Sequence, residues 1–169
     1  NAIAPLKMQE IAEELAMAGI HCIDGGIIGL PAWKAGSTWL YLSGDNLEQV
    51  TQCFNKGFLQ VKILGPAIGQ ASALKMCFAA WNKGNTALLT AILGSAETHG
   101  VRAELEQQWD TFTPGFTIQT HARMTGTARK AWRFAGEMEE IAATLQHSGM
   151  PPEFFLGAAE IYRRLASFK

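Results

Sequence analysis

Lys75 stands in the run Ala71-Ser72-Ala73-Leu74-Lys75-Met76-Cys77-Phe78-Ala79-Ala80-Trp81, with apolar neighbours on nearly every side. A helix that is apolar all round is normally buried. A buried ammonium is costly unless paired, and desolvation lowers its pKa toward the range where it exchanges protons at neutral pH. That is the chemistry of a lysine acid/base. The plainer alternative is a lysine that snorkels to the surface from a core helix. Lys75, Ala79, Asn82 and Lys83 fall at i, i+4, i+7 and i+8 of one helix and so share a face. Two ammonium groups and an amide on one stripe can bind a carboxylate or polarise a hydroxyl. For Asn82 and Lys83 the alternative is an exposed helix face interrupted by Gly84.

A second concentration of unusual residues is Asp24-Gly25-Gly26-Ile27-Ile28-Gly29. It nearly matches the dinucleotide fingerprint G-x-G-x-x-G, but an aspartate holds the first glycine position and Pro31 follows where a helix must open. It is therefore not a pyrophosphate cradle. We read it as a turn whose backbone approaches something closely, either a ligand or the long helix, with plain turn geometry as the alternative. H-E-x-x-H, paired C-x-x-C, G-x-S-x-G and G-x-x-x-x-G-K-[ST] are all missing, which leaves no metal or phosphate motif to build on. The four histidines share no spacing; His21 reads as a strand residue and His99 as a helix end. Glu137, Glu139 and Glu140 read as a solvated face, with Arg133 one turn before Glu137 and able to pair with it.

The elements that position these residues follow from periodicity and breakers. Pro5 to Ala18 reads as a helix, stopped by Gly19. Ile20–Asp24, Thr38–Ser43 and Leu59–Leu64 read as strands, with a short helix from Leu47 to Phe54. Gly65-Pro66 breaks the third strand. The longest helical run then spans roughly Ile68 to His99. Arg102–Trp109, Phe116–Thr125, Ala128–His147 and Glu153–Phe168 read as further helices. Helix and strand alternate over residues 1–64, the signature of α/β architecture, and strand signals stop after Gly65. A first helix with no strand before it leaves a βαβ unit incomplete. The chain is thus expected to be a C-terminal fragment: residues 1–64 the end of a Rossmann-type sheet, residues 65–169 a complete helical domain. A small self-sufficient α+β protein is the alternative.

With 48 % apolar and 17 % charged residues in 169, the chain can fill a core. A net charge of −1 gives nothing to draw nucleic acid or an anionic membrane. No apolar run approaches the ~20 residues that span a bilayer. Cys22, Cys53 and Cys77 are odd in number and widely spaced, which reads as buried free thiols in a reducing, cytoplasmic compartment.

Four stretches together resemble the superfamily of 6-phosphogluconate and β-hydroxyacid dehydrogenases, which includes imine reductases. The branch matched is the one whose C-terminal helical domain is labelled "domain of unknown function 1932". Asn1-Ala2-Ile3-Ala4-Pro5 resembles the loop closing the nucleotide-binding sheet. Asp24–Gly29 resembles the substrate loop. Gly65-Pro66-Ala67-Ile68-Gly69-Gln70-Ala71-Ser72-Ala73-Leu74-Lys75-Met76 resembles the motif of the catalytic lysine. Trp132–Ile141 followed by Gly149-Met150-Pro151 resembles the last two helices of the branch.

The resemblance implies a mainly α chain: an all-α 6-phosphogluconate-dehydrogenase-like domain with a long interdomain helix, preceded by the last strands of a Rossmann-type sheet. It also implies an NAD(P)-dependent dehydrogenase and homodimerisation through the helical domain. In that scheme Lys75 takes the proton from a substrate hydroxyl. Ile27, Ile28, Gly29, Asn82 and Lys83 face substrate. Asn1, Pro5 and Arg133 contact a cofactor, NAD or NADP, that is bound mainly upstream of Asn1. Three positions depart from the pattern. Ile28 stands where the family has a serine, Ala79 where it has an asparagine, and Gly136 where it has a cofactor-contacting lysine. Asn82 and Arg133 are the nearest replacements for the last two. The apolar Ile27-Ile28 pair suggests a less polar or bulkier ligand. The expected function is oxidation of a hydroxy acid or related alcohol. The competing expectations are an imine or carbonyl reductase of the same superfamily, or a non-catalytic dimerisation module.

Overall fold

The computed structural model describes residues 2–54 and 56–167. The fold is mainly helical. The described residues form eight α-helices, one π segment and a three-stranded sheet. They divide into two compact units, Asn1–Phe78 with Ala143–Met150, and Ala79–Ala142 with Pro151–Lys169.

The first unit opens with α1 (Pro5–Met17), where proline occupies the first turn and needs no hydrogen-bond partner for its missing N–H. Gly19, at φ 72°, ends it: the Gly19 and Ile20 amides fold back onto the Ala16 and Leu15 carbonyls. Then come β1 (Asp24–Gly29), β2 (Thr38–Ser43), α2 (Glu48–Phe54), β3 (Gln60–Gly65) and α3 (Gln70–Ala79). The sheet order is β1-β2-β3, with β1 antiparallel and β3 parallel to β2. Leu40 and Leu42 project from one face and join Leu47, Ile23, Val50, Leu59 and Val61 in a small core. The register sets Asp24, Gly26 and Ile28 opposite Ser43, Tyr41 and Trp39 on the other face.

The first strand differs from the sequence expectation. It does not cover Ile20–Asp24; it begins at Asp24 and runs through the glycines that were read as a turn. Glycine is a poor strand former, but strand preference yields to pairing and packing. Here Gly25 and Gly26 pair with Leu42 and Tyr41, and the packing described below leaves no room for a side chain at Gly26. His21, expected in that strand, lies outside it and its Nε2 sits 2.8 Å from the Asp45 carbonyl.

The expected helical run from Ile68 to His99 is present in three successive pieces: α3, a π segment (Ala80–Gly84) and α4 (Asn85–Thr98). The unit boundary falls between Phe78 and Ala79, so the run belongs to both units. It is not buried all round. Ala71, Ser72 and Met76 are buried, while Cys77, Phe78 and Trp81 are exposed. The thiol expectation changes in the same way: Cys53 and Cys77 are exposed, and only Cys22 is partly covered. Cys53 lies on the outer side of α2, where its thiol caps the Gln49 carbonyl at 3.3 Å.

The second unit is all-helical: α4, α5 (Arg102–Phe112), α6 (Phe116–Ala128), most of α7 (Ala131–His147) and α8 (Glu153–Ser167). Gly115 turns α5 into α6 at φ 81°. Met138, Ile141 and Tyr162 are among its most deeply buried side chains, and the Phe134 and Tyr162 rings meet edge to face at 5.4 Å.

Candidate functional site

Asp24 organises the neighbourhood of Lys75. It is 1 % exposed, and every hydrogen bond it accepts helps to fix the start of α3. Oδ2 accepts the Gly69 amide at 3.1 Å, the Ser72 amide at 2.9 Å and the Ser43 hydroxyl at 3.1 Å; Oδ1 accepts the Ser72 hydroxyl at 2.7 Å. The Ser43 Oγ accepts the Ala71 amide at 3.1 Å. The first N–H groups of a helix have no partner within it, and a carboxylate there also meets the positive end of the helix dipole. β1 and β2 thus supply a cap for α3 from a distance in sequence. The loop before the helix is held as tightly. Gly69 is at φ 98°, a Cβ on it would meet Pro5 and Gln9 of α1, and the Gln9 amide donates to the Ile68 carbonyl at 3.2 Å.

With α3 pinned at its first turn, its next turn crosses Gly26. A Cβ on Gly26 would lie 2.7 Å from the Ala71 carbonyl oxygen and 3.4 Å from Lys75 Cβ. Any side chain there would push the helix off the strand. The glycine cluster therefore performs the close approach expected of it, with the long helix as the thing approached, and does so as a strand. Lys75 itself is half-buried. Burial raises the pKa of the nearby Cys22 thiol, and the negative charge of Asp24 raises it further. This group stays a protonated thiol, not a nucleophile.

Of the other sequence candidates in the first unit, Ile28 shares the Gly26 face of β1 and is half-buried. Ile27 points to the opposite face and is 54 % exposed. Gly29 closes the strand at φ 130°, where a Cβ would strike the Ser37 carbonyl. Pro5 serves as the first residue of α1. Asn1 lies outside the described residues.

The second unit holds Asn82, Lys83 and Arg133. Asn82 and Lys83 lie inside the π segment, so the 3.6-residue count behind their shared face with Lys75 does not apply to them. Lys83 forms an ion pair with Glu137 and stands 4.6 Å over the Phe134 ring. Two side-chain hydroxyls reach backbone carbonyls of this segment. The Tyr162 hydroxyl takes up that of Lys83 at 2.7 Å, and the Thr86 hydroxyl takes up that of Asn82 at 3.0 Å. Burial pushes the Tyr162 phenol well above its ordinary range, and the negative charge of Glu137 adds to this, so it remains a hydroxyl donor. Gly84 is required by packing, since a Cβ would lie 2.7 Å from the Phe155 ring. The glutamates of α7 form a solvated face only in part, since Glu139 is exposed and Glu137 is largely covered. Glu137 pairs with Lys83, not with the exposed Arg133, and Glu139 pairs with Arg163.

A further polar cluster escaped the sequence reading. Arg102 bridges Glu97 and Glu106, and His121 Nε2 lies 2.9 Å from the same Glu106 oxygen. The hydrogen bond from Arg102, followed by that from His121, holds the Glu106 carboxyl below the usual carboxylate range. Among the described residues no group of three His, Cys, Asp or Glu is placed to hold a metal ion. Nor does any described helix reach the length and hydropathy that would cross a membrane.

Known proteins place this arrangement. Residues 96–165 match the family described as Domain of unknown function (DUF1932). No curated protein matches the chain in sequence. Among solved structures, a conserved hypothetical protein from Sinorhizobium meliloti 1021 shares the fold at a TM-score of 0.79 and 24 % identity, over 99 % of this chain and 57 % of that one. A conserved protein of unknown function, described as structurally similar to 3-hydroxyacid dehydrogenases, is similar at a TM-score of 0.74 and 24 % identity, over 96 % of this chain and 62 % of its own. An imine reductase from Bacillus cereus BAG3X2 gives a TM-score of 0.48 at 18 % identity over 97 % of this chain and 61 % of that one, too low for a functional comparison. The chain therefore spans about three-fifths of the length of these structures. Residues 96–165 are thus similar to the DUF1932 family, as the sequence resemblance implied, and the fold is shared with a protein described as structurally similar to 3-hydroxyacid dehydrogenases.

Proposed function

We propose that this chain forms the substrate side of an NAD(P)-dependent oxidoreductase in which Lys75 is the acid/base. The observation that carries the reading is the packing of Gly26 against Lys75, with α3 fixed by the Asp24 cap. A proton carrier has to be held within hydrogen-bond reach of the reacting group, and precision of position matters as much as pKa. The glycine at position 26 lets the helix lie directly on the strand and so fixes the place of what that helix carries.

The described residues do not fit a dinucleotide on their own. The sole near-match to the glycine fingerprint is a strand packed under a helix, where a pyrophosphate cradle is a turn that opens into a helix N-terminus. We assign the dinucleotide mainly to a nucleotide-binding domain outside residues 1–169, with residues 1–64 completing its sheet and 65–169 forming the helical domain. A nicotinamide held by that nucleotide-binding domain would supply the hydride chemistry, leaving the proton transfer to this chain. Lys75 removes the proton from a substrate hydroxyl, or returns it when a carbonyl or imine is reduced. Ile28 offers no hydroxyl to a substrate carboxylate, which favours a ligand with an apolar substituent. The helical domain is the dimer-forming part in this reading.

The test is nicotinamide absorbance in the intact protein, with NAD and NADP, on 3-hydroxy acids in one direction and on ketones and cyclic imines in the other. Turnover of at least one class is expected. Failure with every pair in both directions contradicts the proposal and favours a binding module.

A further inference from the structure

The register of the sheet brings two aromatic residues to the place where Lys75 leaves its helix. Gly26, against which the Lys75 Cβ packs, is directly opposite Tyr41, and Ile28 is directly opposite Trp39. Residues directly opposite in an antiparallel pair project from the same face, with Cβ atoms ~5 Å apart and diagonal neighbours ~7–8 Å apart, within reach of aromatic and long side chains. Gly26 has no side chain, so the row it begins offers only backbone on β1 and the phenol on β2. The next row offers isoleucine and indole. Trp39 and Tyr41 are both half-buried. Among the described residues the Tyr41 hydroxyl makes no hydrogen bond, and no buried polar side-chain atom lacks a partner, so this hydroxyl reaches the surface. The opposite face of the same strands is filled with leucine, isoleucine and valine around Leu40 and Leu42, so the aromatic pair is not part of that core.

We infer that Trp39 and Tyr41, with Ile28, form the floor on which the substrate lies beside Lys75, and that they select a substrate carrying an aryl or similarly broad apolar group. The inference rests on the role proposed for Lys75 and names the substrate class for that site. Aromatic side chains bind apolar rings through large buried area plus offset or edge-to-face contact. The missing hydroxyl at Ile28 and the added ring at Trp39 point the same way: affinity comes from apolar surface where a small hydroxy acid would need a polar clamp. The exposed Tyr41 hydroxyl keeps one hydrogen bond available at the edge of the floor.

Calorimetry on the intact protein tests this with two probes that cannot react, 3-phenylpropanoate and butanoate. The phenyl probe is expected to bind roughly tenfold more tightly, the scale of one good aromatic contact plus its buried area. Trp39→Ala should bring the ratio near one. Trp39→Leu keeps apolar bulk in the sheet and should fold as the parent does, checked by its melting curve, yet it should lose most of the preference. Lys75→Ala should abolish turnover and leave the ratio intact. Equal affinities, no binding of either probe, or a preference that survives both Trp39 variants overturns the floor. Turnover that survives Lys75→Ala overturns the catalytic reading instead, while the probe ratio still decides the floor.

Discussion

At the residue scale, Asp24 and Gly26 do more to define the site than the lysine that they position. A carboxylate 1 % exposed is tolerable because four donors meet it, two of them the otherwise unpartnered Gly69 and Ser72 amides at the start of α3 and two the Ser43 and Ser72 hydroxyls. Gly26 then sets the distance between strand and helix. Gly26→Ala places a methyl 2.7 Å from a backbone carbonyl that cannot swing aside. The expected cost is about 1–3 kcal/mol of stability, the usual penalty for overpacking, together with a loss of any Lys75-dependent turnover. Thermal melting measures the first; an unshifted midpoint contradicts the packing argument. Glu106 makes a prediction about pH. Its carboxyl is held below the ordinary value of 4.5, first by Arg102 and then by His121. The folded state therefore binds fewer protons than the unfolded state in that region. Stability from the cluster is fully present above pH 4.5 and is lost as pH falls through the lowered folded value. Urea midpoints between about pH 6 and pH 3 should fall more steeply for the parent than for Glu106→Gln. Parallel curves contradict the assignment.

At the scale of elements, the sequence was most readable where one face of a helix repeats. α7 and α8 were found within a few residues from their apolar stripes, and the proline and glycine breakers around Gly149-Met150-Pro151 fell where the chain turns. Lys75 stands out in the sequence from its apolar surroundings alone. What stayed hidden was long-range. In the strand at Asp24–Gly29 the aspartate and three glycines have little strand preference, and the partner β2 and the helix above hold that backbone extended. The cap on α3 reaches it from 48 residues away between Asp24 and Ser72, so no local window contains it. The π segment was equally invisible. Its most distant contact is the Tyr162 hydroxyl on the Lys83 carbonyl, 79 residues away. That contact is testable. Tyr162→Phe keeps the ring against Phe134 and deletes one donor, and should cost about 1–2 kcal/mol through the lost buried hydrogen bond to the Lys83 carbonyl. A denaturation midpoint equal to that of the parent contradicts the account of the π turn.

At the scale of the whole molecule, the chain accounts for about three-fifths of the length of the structures that share its fold. Its helical unit leaves Phe112, Ile118 and Trp132 between 72 % and 84 % exposed. Exposed apolar side chains mark an interface where they join in one patch that a partner covers. In the proposed function that partner is a second copy. Light scattering on the intact protein should give twice the monomer mass, and Trp132→Asp combined with Ile118→Asp should shift it toward the monomer. A monomeric parent contradicts the dimer reading.

The central claim is that Lys75 moves the proton, and steady-state turnover of Lys75→Ala in the intact protein tests it most directly. The account predicts a fall in kcat of at least ~10²-fold with folding and probe binding preserved. Turnover equal to that of the parent would contradict it.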